Sequence, residues 1–250
     1  MISFVTTIAP MTKKQIKIIQ NNCFDCFDSC PIKHEVIIVG ESFGADKVCK
    51  DRNYKFVKDG TINIEGRPFL KFYKWLEAFK YAKGDIKIWI NADVLFSYKE
   101  LVLLIDKVKE MKNYFLLGQR YDVVVEERIN FNIDNQHEVI QALIKRGVKH
   151  APTGKDYFIF DFDITKYDID KTLIIPFPGC DCYLTSYMGN KKEISVYDIG
   201  DIFKVISQEH RRDYKSKIGI AGWQEQSKYV LKMVKKFNSS NLTSSYPKLI

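Results

Sequence analysis

Short apolar runs alternate with longer stretches in which apolar positions recur every three or four residues. That alternation is the mark of a layered β-α-β chain. Residues 2–8 (ISFVTTI) predict a first strand. From Thr12 a helix is expected, with Ile16, Ile19, Cys23 and Phe27 on one buried face and Pro31 closing it. Residues 35–39 (EVIIV) predict a second strand ending at Gly40, and residues 54–57 a short third. Pro68, after Gly66-Arg67, is expected in the first turn of a helix carrying Leu70, Trp75, Leu76 and Phe79 and stopped by Gly84. Residues 85–90 (DIKIWI) predict a central buried strand that ends in Asn91-Ala92-Asp93. A helix over 98–111 and a strand over 114–117 follow.

Beyond Asp122 the pattern loosens. Helices are expected over 136–145, 181–187 and 224–237, and strands over 157–160, 173–175 and 194–197. The polar residues 238–250 predict a loose tail, which leaves one α/β domain over 1–237 with a mostly parallel central sheet.

Composition supports a folded chain: 250 residues, 46% hydrophobic and 28% charged, with 17 Phe, 14 Tyr and 3 Trp to fill a core. The longest apolar runs are far short of the roughly 18 residues of a membrane span. The first residues carry no basic start and no long apolar segment, so a cytoplasmic protein is expected. The net charge is +8, but only seven of the 39 basic residues are Arg and the lysines are scattered. Nucleic-acid binding calls for Arg forks or a dense basic stripe, and neither is present. A diffuse positive field suits an anionic small molecule such as a nucleotide diphosphate. Cys23, Cys26 and Cys30 lack a second knuckle at zinc-ribbon spacing and fall on the buried face of the first helix, where they serve as small core residues.

Ligands of open α/β sheets collect beyond the carboxyl ends of the strands. Polar residues stand there repeatedly: Thr6 and Thr7 after the first strand, Glu41 and Ser42 after the second, Asn91 and Asp93 after the fourth. Together they outline a nucleotide-sized site. An acid delivered by an apolar strand can hold Mg²⁺ or Mn²⁺, with substrate phosphates and water completing the shell. It can equally serve as a turn or helix-capping residue.

Residues 85–96 (DIKIWINADVLF), preceded by Glu65-Gly66-Arg67-Pro68, resemble the nucleotide-sugar-dependent glycosyltransferases of the GT-A fold, in which a D-x-D-type motif ends the central strand. The resemblance extends through residues 118–122 (GQRYD), 154–158 (GKDYF) and 178–181 (PGCD) to a late Gln208-Glu209-His210. It is closest to the small members of plants, algae and large DNA viruses. Two positions depart from the pattern: Asn91 replaces the first acid of D-x-D, and Cys180 replaces the Trp that often precedes the late Asp.

The resemblance implies a hexosyl- or deoxyhexosyltransferase that moves a sugar from a nucleotide-diphosphate sugar to a hydroxyl acceptor such as a glycan. Asp93 would ligate Mn²⁺ or Mg²⁺, with His210 as second ligand or else a surface residue beside Arg211-Arg212. Thr6, Thr7 and Glu41 would surround the nucleoside, alongside Asn91 and Ala92. Arg67 would meet the donor's phosphate or sugar, or else stand on the surface. Asp181 is the candidate base, its alternative role being a helix cap; Asp156 is the second candidate, assigned to sugar hydroxyls. An inert nucleotide-sugar-binding module is the alternative that Asn91 leaves open. A sugar-phosphate nucleotidyltransferase is disfavoured, because residues 6–11 (TTIAPM) lack a Gly-rich phosphate loop.

Overall fold

The computed structural model describes residues 1–64, 66–131, 134–209, 222–237, 240 and 242–249. In chain order the first half comprises β1 (Ile2–Thr6), α1 (Lys14–Asp28), β2 (His34–Val39), α2 (Ala45–Arg52), β3 (Lys55–Val57), β4 (Thr61–Ile64), β5 (Arg67–Lys71), α3 (Phe72–Glu77), β6 (Ile86–Ile90), β7 (Val94–Phe96), α4 (Tyr98–Val108) and β8 (Tyr114–Leu117). The second half comprises β9 (Arg120–Val124), α5 (Gln136–Arg146), β10 (Val148–Lys149), β11 (Tyr157–Phe160), β12 (Ile174–Ile175), α6 (Cys180–Gly189), β13 (Ser195–Asp198), β14 (Val205–Glu209) and α7 (Trp223–Lys236).

Seven strands form the central sheet in the order β13-β8-β11-β6-β1-β2-β3. All neighbours run parallel except β11, which is antiparallel to both β6 and β8. The mostly parallel sheet expected from the apolar runs is therefore present. Both of its faces are covered, which is why β1 is buried throughout and the end of β6 is apolar. Phe4, Ile88 and Ile90 pack on one side with Cys23, Cys26 and Phe27 of α1; Val5 and Trp89 pack on the other with Trp75 and Phe158. Burial pushes the Cys26 and Cys30 thiols up to about 11, so both are inert core residues at neutral pH.

The expectation for Pro68 is corrected. It lies within β5 opposite Asn63 of β4, and the helix starts only at Phe72. The strand β12 pairs with β5 at Leu70 and Lys71 alone, so no ladder bond is asked of the imide nitrogen on that side. Phe69 against Phe177, at 5.3 Å between ring centroids, anchors this small sheet.

Four strands that the sequence pattern did not reveal, β10-β9-β14-β7, make a second sheet beside the end of β6. The helix α4 starts at Ser97, whose hydroxyl accepts the Glu100 N–H at 3.4 Å. Residues 242–249, expected to be loose, are fastened to the body: the Thr243 hydroxyl donates to the Pro152 carbonyl at 2.8 Å, and Lys248 pairs with Asp198 at 2.7 Å. Among the described residues no helix is long and apolar enough to cross a membrane.

Candidate functional site

Parallel strands bring their carboxyl ends to one edge, and the single reversed strand β11 brings its amino end there too. Tyr157 opposes Ile90, so Asp156 and Asn91 become neighbours, with the Asn91 N–H donating to the Asp156 carbonyl at 3.0 Å. Thr6, Glu41, Asn91-Ala92-Asp93, Arg120 and Asp156 all stand at or just beyond this edge. Their convergence follows from topology alone.

The side chains there form a chain of hydrogen bonds. The Asn91 amide donates to Asp156 Oδ1 at 2.9 Å. Arg120 grips both Asp156 oxygens at 2.7 Å and reaches Asp122 Oδ1 through Nε at 2.8 Å. The other oxygen of Asp122 meets His150 Nδ1 at 2.5 Å. The backbone of His150 is fixed as well, its N–H donating to the Arg120 carbonyl and its carbonyl accepting from Gln119. Asp156 is 4% exposed, so its charge needs this partner. Burial works against the Arg120 charge, but Asp156 and Asp122 more than restore it and hold the guanidinium above its usual range. Burial alone would push the Asp122 carboxyl up; the bonds from His150 and Arg120 outweigh it and hold the group below the usual carboxylate range.

Asp93 follows β6 in a short turn and is half-buried, its Oδ1 buried and its carbonyl accepting the Gln208 backbone N–H at 3.0 Å. It lies near enough to Arg120 to strengthen that residue's charge. Asp181 is half-buried in the first turn of α6, and its Oδ2 accepts the Lys155 backbone N–H at 3.3 Å. Burial pushes its carboxyl up, and Lys155 pulls against that.

Thr6 is fully buried, while Thr7 is half-buried with its hydroxyl on the Val39 carbonyl at 2.8 Å. Glu41 is exposed, its N–H donating to the Thr61 hydroxyl at 2.8 Å. Arg67 opens β5 in the small sheet and not at the end of a central strand. His210 lies outside the described residues. Cys180 is buried, its thiol donating to the carbonyl of Ile174 at 3.5 Å.

The chain has a GT-A-like fold. The chain superposes on S. aureus TarS 1-349 in complex with UDP-GlcNAc with a TM-score of 0.50 at 9% identity, over 96% of this chain and 68% of that one. Against glucosyl-3-phosphoglycerate synthase from Mycobacterium tuberculosis, in complex with Mg²⁺ and uridine-diphosphate, the TM-score is 0.50 at 12% identity, over 96% of this chain and 80% of that one. A narrower match to TarS 1-349 in complex with UDP, with a TM-score of 0.35 and 14% identity, covers 52% of this chain and spans 38% of that one. At such identities the likeness is one of fold. No family model and no curated protein sequence matches the chain.

Within the GT-A frame, Arg120, Asp122, His150 and Lys155 are the residues to which sequence reasoning gave no role. Arg120, Asp122 and Lys155 sit inside segments noted as similar to the family. His150 had no local signal, being 28 residues from Asp122 in the chain. For a divalent cation, the described residues supply oxygen donors suited to a hard ion, but no cluster of three ligating side chains. That donor set fits a cation held by one carboxylate and completed by substrate phosphates.

Proposed function

We propose that this chain is a nucleotide-sugar-dependent glycosyltransferase, transferring a hexose or deoxyhexose from a nucleotide-diphosphate sugar to a hydroxyl of a glycan acceptor. The observation that carries this reading is the gathering of Asn91, Asp93, Arg120, Asp156 and Asp181 around one edge of a GT-A sheet. Asp93, with His210, would hold Mn²⁺ or Mg²⁺, which when bound offsets the charge of the leaving diphosphate. Thr7 and Glu41 face the nucleoside, with Thr6 supporting them from within. Arg67 would meet the donor's phosphate or sugar, and Asp156 orients sugar hydroxyls from the position that Arg120 and Asn91 fix.

Asp181 serves as base in an inverting transfer. Its carboxylate takes the proton from the acceptor hydroxyl, the acceptor oxygen bonds to the anomeric carbon, and the bond from that carbon to the diphosphate oxygen breaks. The nucleoside diphosphate leaves with that electron pair. The test is thermal stabilisation by a panel of nucleotide sugars with Mn²⁺ or Mg²⁺, followed by assays of donor hydrolysis and transfer. Asp93→Ala is expected to abolish the metal-dependent part of the stabilisation. No stabilisation by any donor would overturn the reading. Stabilisation with neither hydrolysis nor transfer would identify an inert binding module, the alternative that Asn91 in place of an acid leaves open.

A further inference from the structure

Residues 243–249 run from the turn before Asp156, past α6, to the edge strand β13 of the central sheet. At one end Thr243 is fully buried and gives both of its donors to one acceptor. The Pro152 carbonyl takes its N–H at 3.0 Å and its hydroxyl at 2.8 Å. Midway, the Tyr246 hydroxyl is shared between the carbonyls of Ser240 and of Thr185 in α6, the latter at 3.3 Å. At the far end the Pro247 carbonyl and the Leu249 N–H both bond to the backbone of Asp198. Lys248 adds ion pairs to the Asp198 and Asp201 carboxylates at 2.7 and 3.1 Å. The segment is thus moored to the sheet at one end and grips a turn with the other.

That turn, residues 151–154, separates His150 from Asp156, and its first three carbonyls all accept hydrogen bonds. Ala151 accepts the Gly154 N–H at 2.9 Å, and Pro152 accepts from Thr243. Thr153 accepts from the Lys155 ammonium at 3.1 Å and from the Cys182 thiol of α6 at 3.7 Å. The Lys155 N–H then donates to Asp181 Oδ2 at 3.3 Å, so the turn and the start of α6 are in direct contact. Within α6 the Thr185 hydroxyl donates back to the Asp181 carbonyl at 2.8 Å. The Thr185 carbonyl that meets Tyr246 therefore lies one helical turn beyond Asp181. Through Thr243 and Tyr246 one short segment holds both pieces of chain that carry Asp156 and Asp181.

We propose that residues 243–249 form a strap that sets the separation of Asp156 and Asp181, with Thr243 as a positioning residue for the transfer. Its part in the reaction rests on the roles proposed for those two acids. The tie between strap and turn does not, and it can be measured without any donor or acceptor.

The experiment is amide hydrogen exchange on the full chain, wild type against Thr243→Val, which keeps the N–H and the side-chain volume and removes the hydroxyl. The Gly154 and Lys155 amides should exchange about tenfold faster in the variant, while those of β1 and β6 keep their wild-type rates. Thr243→Ser, which retains the hydroxyl, should restore the slow exchange. Tyr246→Phe frees the strap from α6 and should speed the Lys155 amide in the same direction, a second test if Thr243→Val fails to fold. Unmoved Gly154 and Lys155 amides in a folded Thr243→Val, or an unmoved Lys155 amide in Tyr246→Phe, overturn the proposal. Faster exchange spread evenly over β1 and β6 would mark a merely structural threonine and sink it as well. In transfer assays Thr243→Val should lose about tenfold in kcat and Thr243→Ser should recover it, with thermal stabilisation by the nucleoside diphosphate alone unchanged. Full transfer by a variant whose turn has loosened overturns the positioning role. A wild-type protein that transfers no sugar would instead bring down the transferase reading, and the exchange rates would still decide whether the strap holds the turn.

Discussion

Asn91 donates its side-chain amide to Asp156 Oδ1 at 2.9 Å, so the first polar residue beyond β6 serves a neighbouring carboxylate. An aspartate at 91 would set a second negative charge against Asp156 and remove the donor. Asn91→Asp is therefore expected to cost about 1–3 kcal/mol at pH 7.5, easing as the pH is lowered and the new carboxyl can donate a proton. Urea denaturation at pH 7.5 and pH 5 measures this. Equal stability of the two proteins at both values would show that the amide bond contributes nothing.

Gly154 marks the other end of the same network. A Cβ there would stand 1.9 Å from His150 Cδ2 and 2.6 Å from its Nε2, so even alanine must displace the ring. Since the imidazole is tied to Asp122 at 2.5 Å, Gly154→Ala should break that contact and cost about 1–3 kcal/mol as an overpacking substitution. The direct readout is the hydrogen-bonded Nδ1 proton of His150 by NMR, present in the wild type and lost in the variant. A retained Nδ1 resonance in a stable variant would contradict the packing.

These two residues show what the sequence made legible and what it hid. The β6 run and its polar ending at Asn91-Ala92-Asp93 were visible because a buried parallel strand is apolar throughout and ligand groups follow it. Asp181 was visible because the Pro178-Gly179 turn announces a helix start. Arg120 and Asp156 lie 36 residues apart, and no local pattern signals that the reversed strand β11 will bring them to 2.7 Å. The strands β9 and β14 were hidden for a related reason: β9 is half-buried and β14 buries Ser207 and Gln208, and their mixed sequences RYDVV and VISQE follow no clean alternation. Pro68 was misplaced because its helix-starting preference yielded to the pairing of β4 with β5 and the Phe69–Phe177 contact.

Asp122 gives a pH prediction whose sign follows from its depressed titration. Its carboxyl is held low mainly by His150 and Arg120 against burial, so the stability it contributes is complete above the unfolded value of about 3.9. That contribution is lost as the pH falls through the lower folded value. Asp122→Asn should be less stable than the wild type at pH 7 but lose less on going from pH 5 to pH 2. Chemical denaturation across that range decides it; an acid decline as steep as that of the wild type would mean the carboxyl is not held down.

Asp181 should behave in the opposite sense. Burial raises its carboxyl despite Lys155, so in the folded protein the charged form is disfavoured relative to the unfolded chain. Above the folded value this group costs stability, and the cost vanishes as the pH falls toward the unfolded one. Asp181→Asn keeps an acceptor for the Lys155 N–H and removes the charge, so it should melt higher than the wild type at pH 7.5, with the gap closing by about pH 4. The carboxylate's favourable place in the first turn of α6 offsets this by about 0.3–1 kcal/mol and limits the gain. Gained stability together with lost transfer would mark a group retained for chemistry. A residue whose only task was capping α6 would show the reverse, a lower melting temperature with transfer intact, and calorimetry alongside a transfer assay separates the two.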